Sequence, residues 1–192
     1  KIICLIPARG GSKGIKLKNL QKIKNRSLLE IAGRFAKKCN FIDTIFVNSD
    51  NKKILNLSKN IGLKTIKRKK NLSGDRISDY QVISSSLNYL KDLDLNYDYL
   101  IYLQPTSPFR VKKDLLKSLK KIILNKSNSI WSVTKVIDKY HPYKVLENDK
   151  DSFLKLHNNI GKKIVARQQL KDIYIRNGIF YIFKIKSLLK YK

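Results

Sequence analysis

The 192-residue chain has no methionine, one tryptophan, two cysteines and two histidines. Cys4 and Cys39 have no Cys-x-x-Cys partner and no histidine cluster nearby. Zinc is therefore not expected, and both read as small buried hydrophobes in a reducing compartment. With so few candidates, no Ser-His-Asp or Cys-His set forms, and His141, followed by Pro142, reads as structural. No apolar run approaches the length of a membrane span. The opening run, Ile2–Ile6, is too short for a signal-peptide core, so a soluble cytoplasmic protein with no membrane partner is expected. There is no internal repeat and no linker rich enough to separate domains, so residues 1–192 are expected to form one domain. Acidic residues are also scarce, 14 against 42 basic ones, which gives a net charge of +28. Such a charge would suit a nucleic-acid binder. Only 8 of the basic residues are arginine, however, and they are scattered rather than interleaved with aromatics on one face, so nucleic acid is not the expected partner. The Lys, Asn and Ile abundance is what codon bias in an AT-rich genome produces. The field it creates still attracts polyphosphates and acidic sugars.

What is present is an alternation of short apolar runs with helix-period segments, the signature of βαβ units and a mostly parallel sheet. Strands are expected at Ile2–Ile6, Thr44–Asn48, Leu63–Ile66, Tyr99–Leu103, Ser129–Val136 and Gly178–Phe183. Helices are expected at Ser27–Cys39, Lys52–Asn60, Asp79–Leu93 and Val111–Leu124, with another starting at Ile185–Leu189. Lys67–Ser78 reads as a polar loop. From Lys139 to Asp172 the alternation breaks, and the Asn/Asp/Gly clusters suggest a β-hairpin arm.

Two stretches carry chemistry. The first strand stops at Pro7 and opens into Ala8-Arg9-Gly10-Gly11-Ser12-Lys13-Gly14-Ile15-Lys16-Leu17-Lys18-Asn19. Glycines there let backbone approach a polyphosphate closely, while Arg9 can fork onto oxygens and Lys13 and Lys18 act as point charges. No Gly-Lys-Ser/Thr closes the loop and no Gly-x-Gly-x-x-Gly spacing occurs, so it is neither a Walker loop nor a dinucleotide fingerprint. The second stretch, Leu103-Gln104-Pro105-Thr106-Ser107-Pro108-Phe109-Arg110, follows an apolar strand. Its two prolines stiffen the turn from which Gln104, Thr106 and Ser107 project. Uncharged donors of that kind suit sugar hydroxyls and an N-acyl group.

Together these stretches resemble the CMP-sialic acid synthetases, or acylneuraminate cytidylyltransferases, including those that use legionaminic or pseudaminic acid. The likeness runs from Ile2 to about Phe183, taking in Ala166-Arg167-Gln168-Gln169-Leu170 and Asn177-Gly178-Ile179-Phe180-Tyr181-Ile182. It implies a three-layer α/β/α nucleotidyltransferase (Rossmann-like) fold with a β-hairpin dimerisation arm at about 139–172. The implied reaction transfers CMP from CTP to a nine-carbon 2-keto sugar acid, with Mg²⁺ as cofactor, in a homodimer. By the same resemblance Arg9, Gly11, Ser12, Lys13, Lys18 and Asn19 contact nucleotide, Asn19 at the ribose, with Arg9 and Lys13 catalytic. Arg68 near the base and Asp75 belong to the same nucleotide set. Gln104, Thr106 and Ser107 face the sugar, and Arg167, from the arm, reaches the sugar site of the neighbouring subunit. Arg110 is a carboxylate partner or a helix-start residue. Asp50, ending the second strand after Ser49, is a weak metal candidate or a cap for the following helix.

One departure stands out. The family continues past its last strand into an Asp-x-Asp pair that holds Mg²⁺, and no such pair follows the last strand here, so no metal ligand is assigned. Together with the start at Lys1 rather than methionine, this leads to the expectation of a C-terminally truncated fragment. Two other readings stay open. One is a CMP-Kdo synthetase, whose first loop usually runs Ala-Ser-Ser-Arg rather than Gly-Gly-Ser-Lys. The other is a non-catalytic nucleotide- or RNA-binding protein.

Overall fold

The computed structural model describes residues 1–190. In chain order the elements are β1 (Ile2–Pro7), β2 (Lys22–Ile23), β3 (Arg26–Ser27), α1 (Leu28–Lys37), β4 (Thr44–Ser49), α2 (Lys52–Asn60) and β5 (Lys64–Lys67). They continue as α3 (Asp79–Asp92), β6 (Tyr99–Tyr102), α4 (Lys112–Leu124), β7 (Ser129–Lys135), β8 (Leu146–Asn148), β9 (Leu154–Leu156), β10 (Tyr174–Lys184) and α5 (Ile185–Leu188). Two compact units result: residues 1–132 with 178–190, and Val133–Asn177.

The first unit is built on a sheet of order β5-β4-β1-β6-β10-β7. β1 runs parallel to β4 and β6, and β4 parallel to β5, whereas β10 is antiparallel to β6. Side chains along a strand alternate between faces, and a sheet covered on both faces is apolar on both. β1 shows this directly. Cys4 and Ile6 join one core with Val47, Ile101 and Ile182, covered by Leu29, Ala32 and Ala36 of α1, Ile54 of α2, and Leu115, Leu119 and Ile122 of α4. Ile3 and Leu5 join the other with Phe46, Ile66 and Leu100, covered by Ile83, Leu87 and Leu90 of α3 and by Ile185 of α5. The three-layer α/β/α architecture with a mostly parallel sheet is thus as the sequence predicts. Burial pushes the Cys4 thiol far up, consistent with its reading as a packed hydrophobe.

Local chemistry sets the helix starts. Ser27 and Glu30 make a reciprocal capping box at α1, and Ser78 and Gln81 make another at α3. At α2 the cap is Asn51, whose Oδ1 accepts from the N–H groups of Lys53 and Ile54, so the capping role offered to Asp50 falls one residue later. β2 and β3, a two-residue ladder turning at Lys24 with φ of 54°, were not anticipated.

The sheet also fixes where a ligand belongs. From β1 the chain winds outward through β4 and β5, then returns to place β6 on the other side of β1. Strand order therefore reverses between β1 and β6, and open α/β sheets open a crevice at the carboxyl ends of strands around such a point.

The second unit carries the β8–β9 antiparallel hairpin, inside the stretch where an arm is expected. His141 is buried there: its Nδ1 accepts from the Tyr143 N–H at 3.2 Å, so its Nε2–H is the donor toward the Lys171 carbonyl at 3.3 Å. With both ring nitrogens engaged by backbone, its role is structural. Lys135 pairs with Asp172 at 2.6 Å, and Arg167 pairs with Asp138.

Candidate active site

A cleft of about 630 Å³ opens at the switch point, within the size range of small-molecule sites. Its wall includes Pro7 at the end of β1, the loop that follows, Arg68 beyond β5, the start of α3, Tyr102 at the end of β6, and Gln104, Pro105 and Thr106 after it. Of the residues singled out from sequence, it brings together Arg9, Ser12, Lys13, Lys18, Asn19, Arg68, Asp75, Gln104 and Thr106. Gly11 and Ser107 are not on this wall. Space around Gly11 is open, and the Ser107 N–H closes the proline turn onto the Gln104 carbonyl at 3.1 Å. Arg167 lies in the second unit, where Asp138 holds it.

The cationic loop is held by polar contacts rather than by apolar packing. Asp50 accepts from the Gly10 N–H at 2.8 Å, and the buried Asn19 donates its side-chain N–H to the Arg9 carbonyl at 3.0 Å. Gly10 needs to be glycine because a Cβ there would lie 2.8 Å from Asn51, the cap of α2. Asp50 is thus a loop anchor, and it is not on the cleft wall. Across the cleft mouth Asp75 accepts from Arg9 at 2.8 Å and from Lys13 at 2.7 Å. Hydrogen bonds from Lys13 and then Arg9 hold its carboxyl below the ordinary aspartate value. In this ligand-free arrangement Asp75 is the counter-charge of the two cations.

Arg68 emerges from a Lys-heavy stretch as a buried guanidinium. Its Nε donates to the Asn48 side-chain oxygen and its Nη2 to the Asn48 carbonyl at 3.1 Å. Asn48 in turn donates to Ser86 Oγ at 2.8 Å, tying β4 to α3. Burial pushes the Arg68 pKa down from its ordinary value, yet a guanidinium stays a fixed cation at neutral pH, here in the cleft wall. Arg110 is not on the cleft wall. Its Nε donates to the Ile179 carbonyl at 2.8 Å and its Nη2 to the Gln104 carbonyl, clamping the proline turn to β10. Burial pushes it down to about 10.

Wall residues that the sequence reading does not assign to the site include Tyr102, Asp79, Ile15, Ile77 and Val82. Tyr102 looks like one more core residue of an apolar strand, but its hydroxyl donates to Asp79 at 2.7 Å. Burial, and then the Asp79 charge, keep that hydroxyl protonated. Among the described residues no group of three or more His, Cys, Asp or Glu side chains could hold a metal ion.

A mostly parallel three-layer fold with a polyphosphate-sized cationic cleft at its switch point defines a nucleotide-handling α/β protein. The chain matches the cytidylyltransferase family model over residues 3–191, and it belongs to that family. It is 32% identical over 136 residues to a pseudaminic acid cytidylyltransferase of Campylobacter jejuni, a match covering 70% of this chain and 58% of that one. It is 26% identical over 208 residues to an N-acylneuraminate cytidylyltransferase of Escherichia coli, covering 98% of this chain and 48% of that one. The chain thus spans about half the length of these two relatives. Among solved structures it shares its fold with a CMP:2-keto-3-deoxy-manno-octonic acid synthetase complexed with CTP. There the TM-score is 0.74 at 16% identity, covering all of this chain and 77% of that one.

Proposed function

We propose that this cleft transfers CMP from CTP to the anomeric hydroxyl of a nine-carbon 2-keto sugar acid, of the sialic, legionaminic or pseudaminic type, releasing pyrophosphate. The observation that carries the reading is one cleft holding both halves of the chemistry: Arg9, Lys13, Lys18 and Arg68 for a nucleoside triphosphate, and Gln104 and Thr106 for a hydroxylated acceptor. The names of the two Campylobacter and Escherichia relatives support the nine-carbon acceptor over the eight-carbon one.

In this mechanism the acceptor hydroxyl attacks the α-phosphorus in line. The new O–P bond forms as the bond to the β-phosphate bridging oxygen breaks, and pyrophosphate leaves with the electron pair while the hydroxyl gives up its proton to solvent water. Charge on the leaving pyrophosphate falls to Arg9 and Lys13, which exchange Asp75 for phosphate oxygens. Positioning and charge neutralisation supply the rate enhancement. Ser12, Lys18, Asn19 and Gly11 complete the proposed nucleotide contacts, with Arg68 at the base.

Mg²⁺ is proposed as the ion accompanying CTP. The described residues do not form a cage for it: Asp75 is engaged by Arg9 and Lys13, and Asp50 by the Gly10 N–H. No step is therefore derived through the ion. We also propose that the protein works in the cytoplasm, since among the described residues no helix is long and apolar enough to cross a membrane. The second unit exposes Phe153, Leu154, Val165, Tyr174 and Ile175, which suits a role in homodimerisation, with Arg167 and Ser107 as further sugar contacts. Light scattering that finds a monomer at working concentration contradicts that dimer.

The test is pyrophosphate release by the intact protein with CTP, Mg²⁺ and each acid in turn. The reading expects release with one of them and loss of most turnover in Lys13→Ala. Absence of release with all of them from neutral to alkaline pH, or wild-type rates in Lys13→Ala, contradicts it.

A further inference from the structure

Asp79 is the first residue of α3, and the Ser78–Gln81 capping box already satisfies that helix end. Its carboxylate is thereby available to face the cleft. Oδ1 accepts from the Tyr102 hydroxyl at 2.7 Å, and Oδ2 accepts from Gln104 Nε2 at 3.3 Å. Tyr102 is fully buried and stacks on Tyr181, so the group that orients the carboxylate is itself immobile.

The Gln104 backbone is held as well. Its carbonyl accepts from Ser107 N–H and from Arg110, and Pro105 fixes the backbone that follows. Its Oε1 rests against Gly178, where a Cβ would lie 2.7 Å away. A primary amide has two nearly isosteric ends, and a solvated glutamine presents either one. An ionised carboxylate accepts but cannot donate, so it binds only the nitrogen end. Pairing with Asp79 removes the ambiguity.

We propose that Asp79 is a positioning residue: it locks the Gln104 amide with its nitrogen on the cleft side, so that Gln104 meets the acceptor sugar as a hydrogen-bond donor. The proposal deepens the acceptor reading above and rests on it for the identity of the ligand. Neither hydrogen bond of the carboxylate involves the loop cations Arg9, Lys13 and Lys18.

Two measurements on the intact protein test it. The first needs no turnover. The Gln104 side-chain NH₂ signals, identified by their loss in Gln104→Ala, are followed by ¹H–¹⁵N NMR. They are expected to move in Asp79→Ala, and unchanged signals overturn the proposal. The second is a double-mutant cycle in the pyrophosphate assay. Asp79→Ala is expected to raise the acceptor KM about ten-fold, the scale of a lost charge-assisted hydrogen bond, with the CTP KM unchanged. In the Gln104→Ala background the same change is expected to add nothing. Effects that multiply, or a CTP KM that rises with the acceptor KM, overturn it. If the wild type turns over no acceptor, the acceptor reading fails, and the amide signals still decide whether Asp79 holds Gln104.

Discussion

Gly178→Ala links the backbone of β10 to the proposed sugar side of the cleft. Gly178 has φ of +70°, a conformation in which an L side chain is strained by about 1–2 kcal/mol. The added Cβ would also lie 2.7 Å from Gln104 Oε1 and 3.4 Å from Ser107 Oγ. The first contact is too short to persist, so the Gln104 amide must swing away from its rotamer, at about 0.5–1.5 kcal/mol. The two effects together come to about 2 kcal/mol, equivalent to a fall of about 4–8 °C in Tm for a chain of this size. Scanning calorimetry measures it, with Gly14→Ala as the comparison, because a Cβ at Gly14 meets nothing within 4 Å and its Tm should not move. The same Gly178 variant should raise the acceptor KM and leave the CTP KM unchanged. A Gly178→Ala protein that melts with the wild type and keeps its acceptor KM refutes the reasoning about both strain and contact.

Asp75→Asn removes the counter-charge of Arg9 and Lys13, so inorganic triphosphate should bind more tightly, by up to about five-fold, as befits partly exposed ion pairs; titration calorimetry showing weaker binding would make Asp75 a ligand contact instead. Glu30 is held below its ordinary value of 4.5 by hydrogen bonds from the Ser27 N–H and hydroxyl, and a carboxylate depressed in the folded state stabilises fully above the unfolded value. That contribution is lost as pH falls from 4.5 through the lower folded value, so the urea midpoint of Glu30→Gln should converge on the wild type on acidification. A gap that widens instead contradicts the sign. Leu115→Ala, emptying a fully buried position between α4 and the sheet, should destabilise by about 2–5 kcal/mol in urea unfolding with the m-value unchanged.

Much of the architecture is legible in the sequence because both faces of the sheet are covered. Continuous apolar runs such as Tyr99–Leu103 mark buried parallel strands, and helix-period segments such as Asp79–Leu93 mark the helices that cover them. The cation side of the site is legible for a similar reason: Arg9, Lys13 and Lys18 follow the first strand directly, and the switch point brings that loop to the cleft. What escapes is whatever depends on distant partners. Asp79 reads as an ordinary first-turn acid and Tyr102 as core, and only the packing of α3 against β6 brings them to Gln104. Nothing in the residues around Arg110 signals that its partners are the carbonyls of Gln104 and Ile179. The β2–β3 ladder hangs on a lysine in a left-handed conformation, which carries no glycine or asparagine signal at that position.

The central claim is that the loop after β1 grips a cytidine triphosphate within the switch-point cleft. Calorimetric titration of the intact protein and of its Arg9→Ala and Lys13→Ala variants with CTP, UTP and inorganic triphosphate tests it most directly. The account predicts saturable binding with CTP preferred over UTP, and marked weakening in both variants for every ligand that carries the triphosphate. Equal affinity for CTP and bare triphosphate, or variants that bind CTP like the wild type, would contradict it.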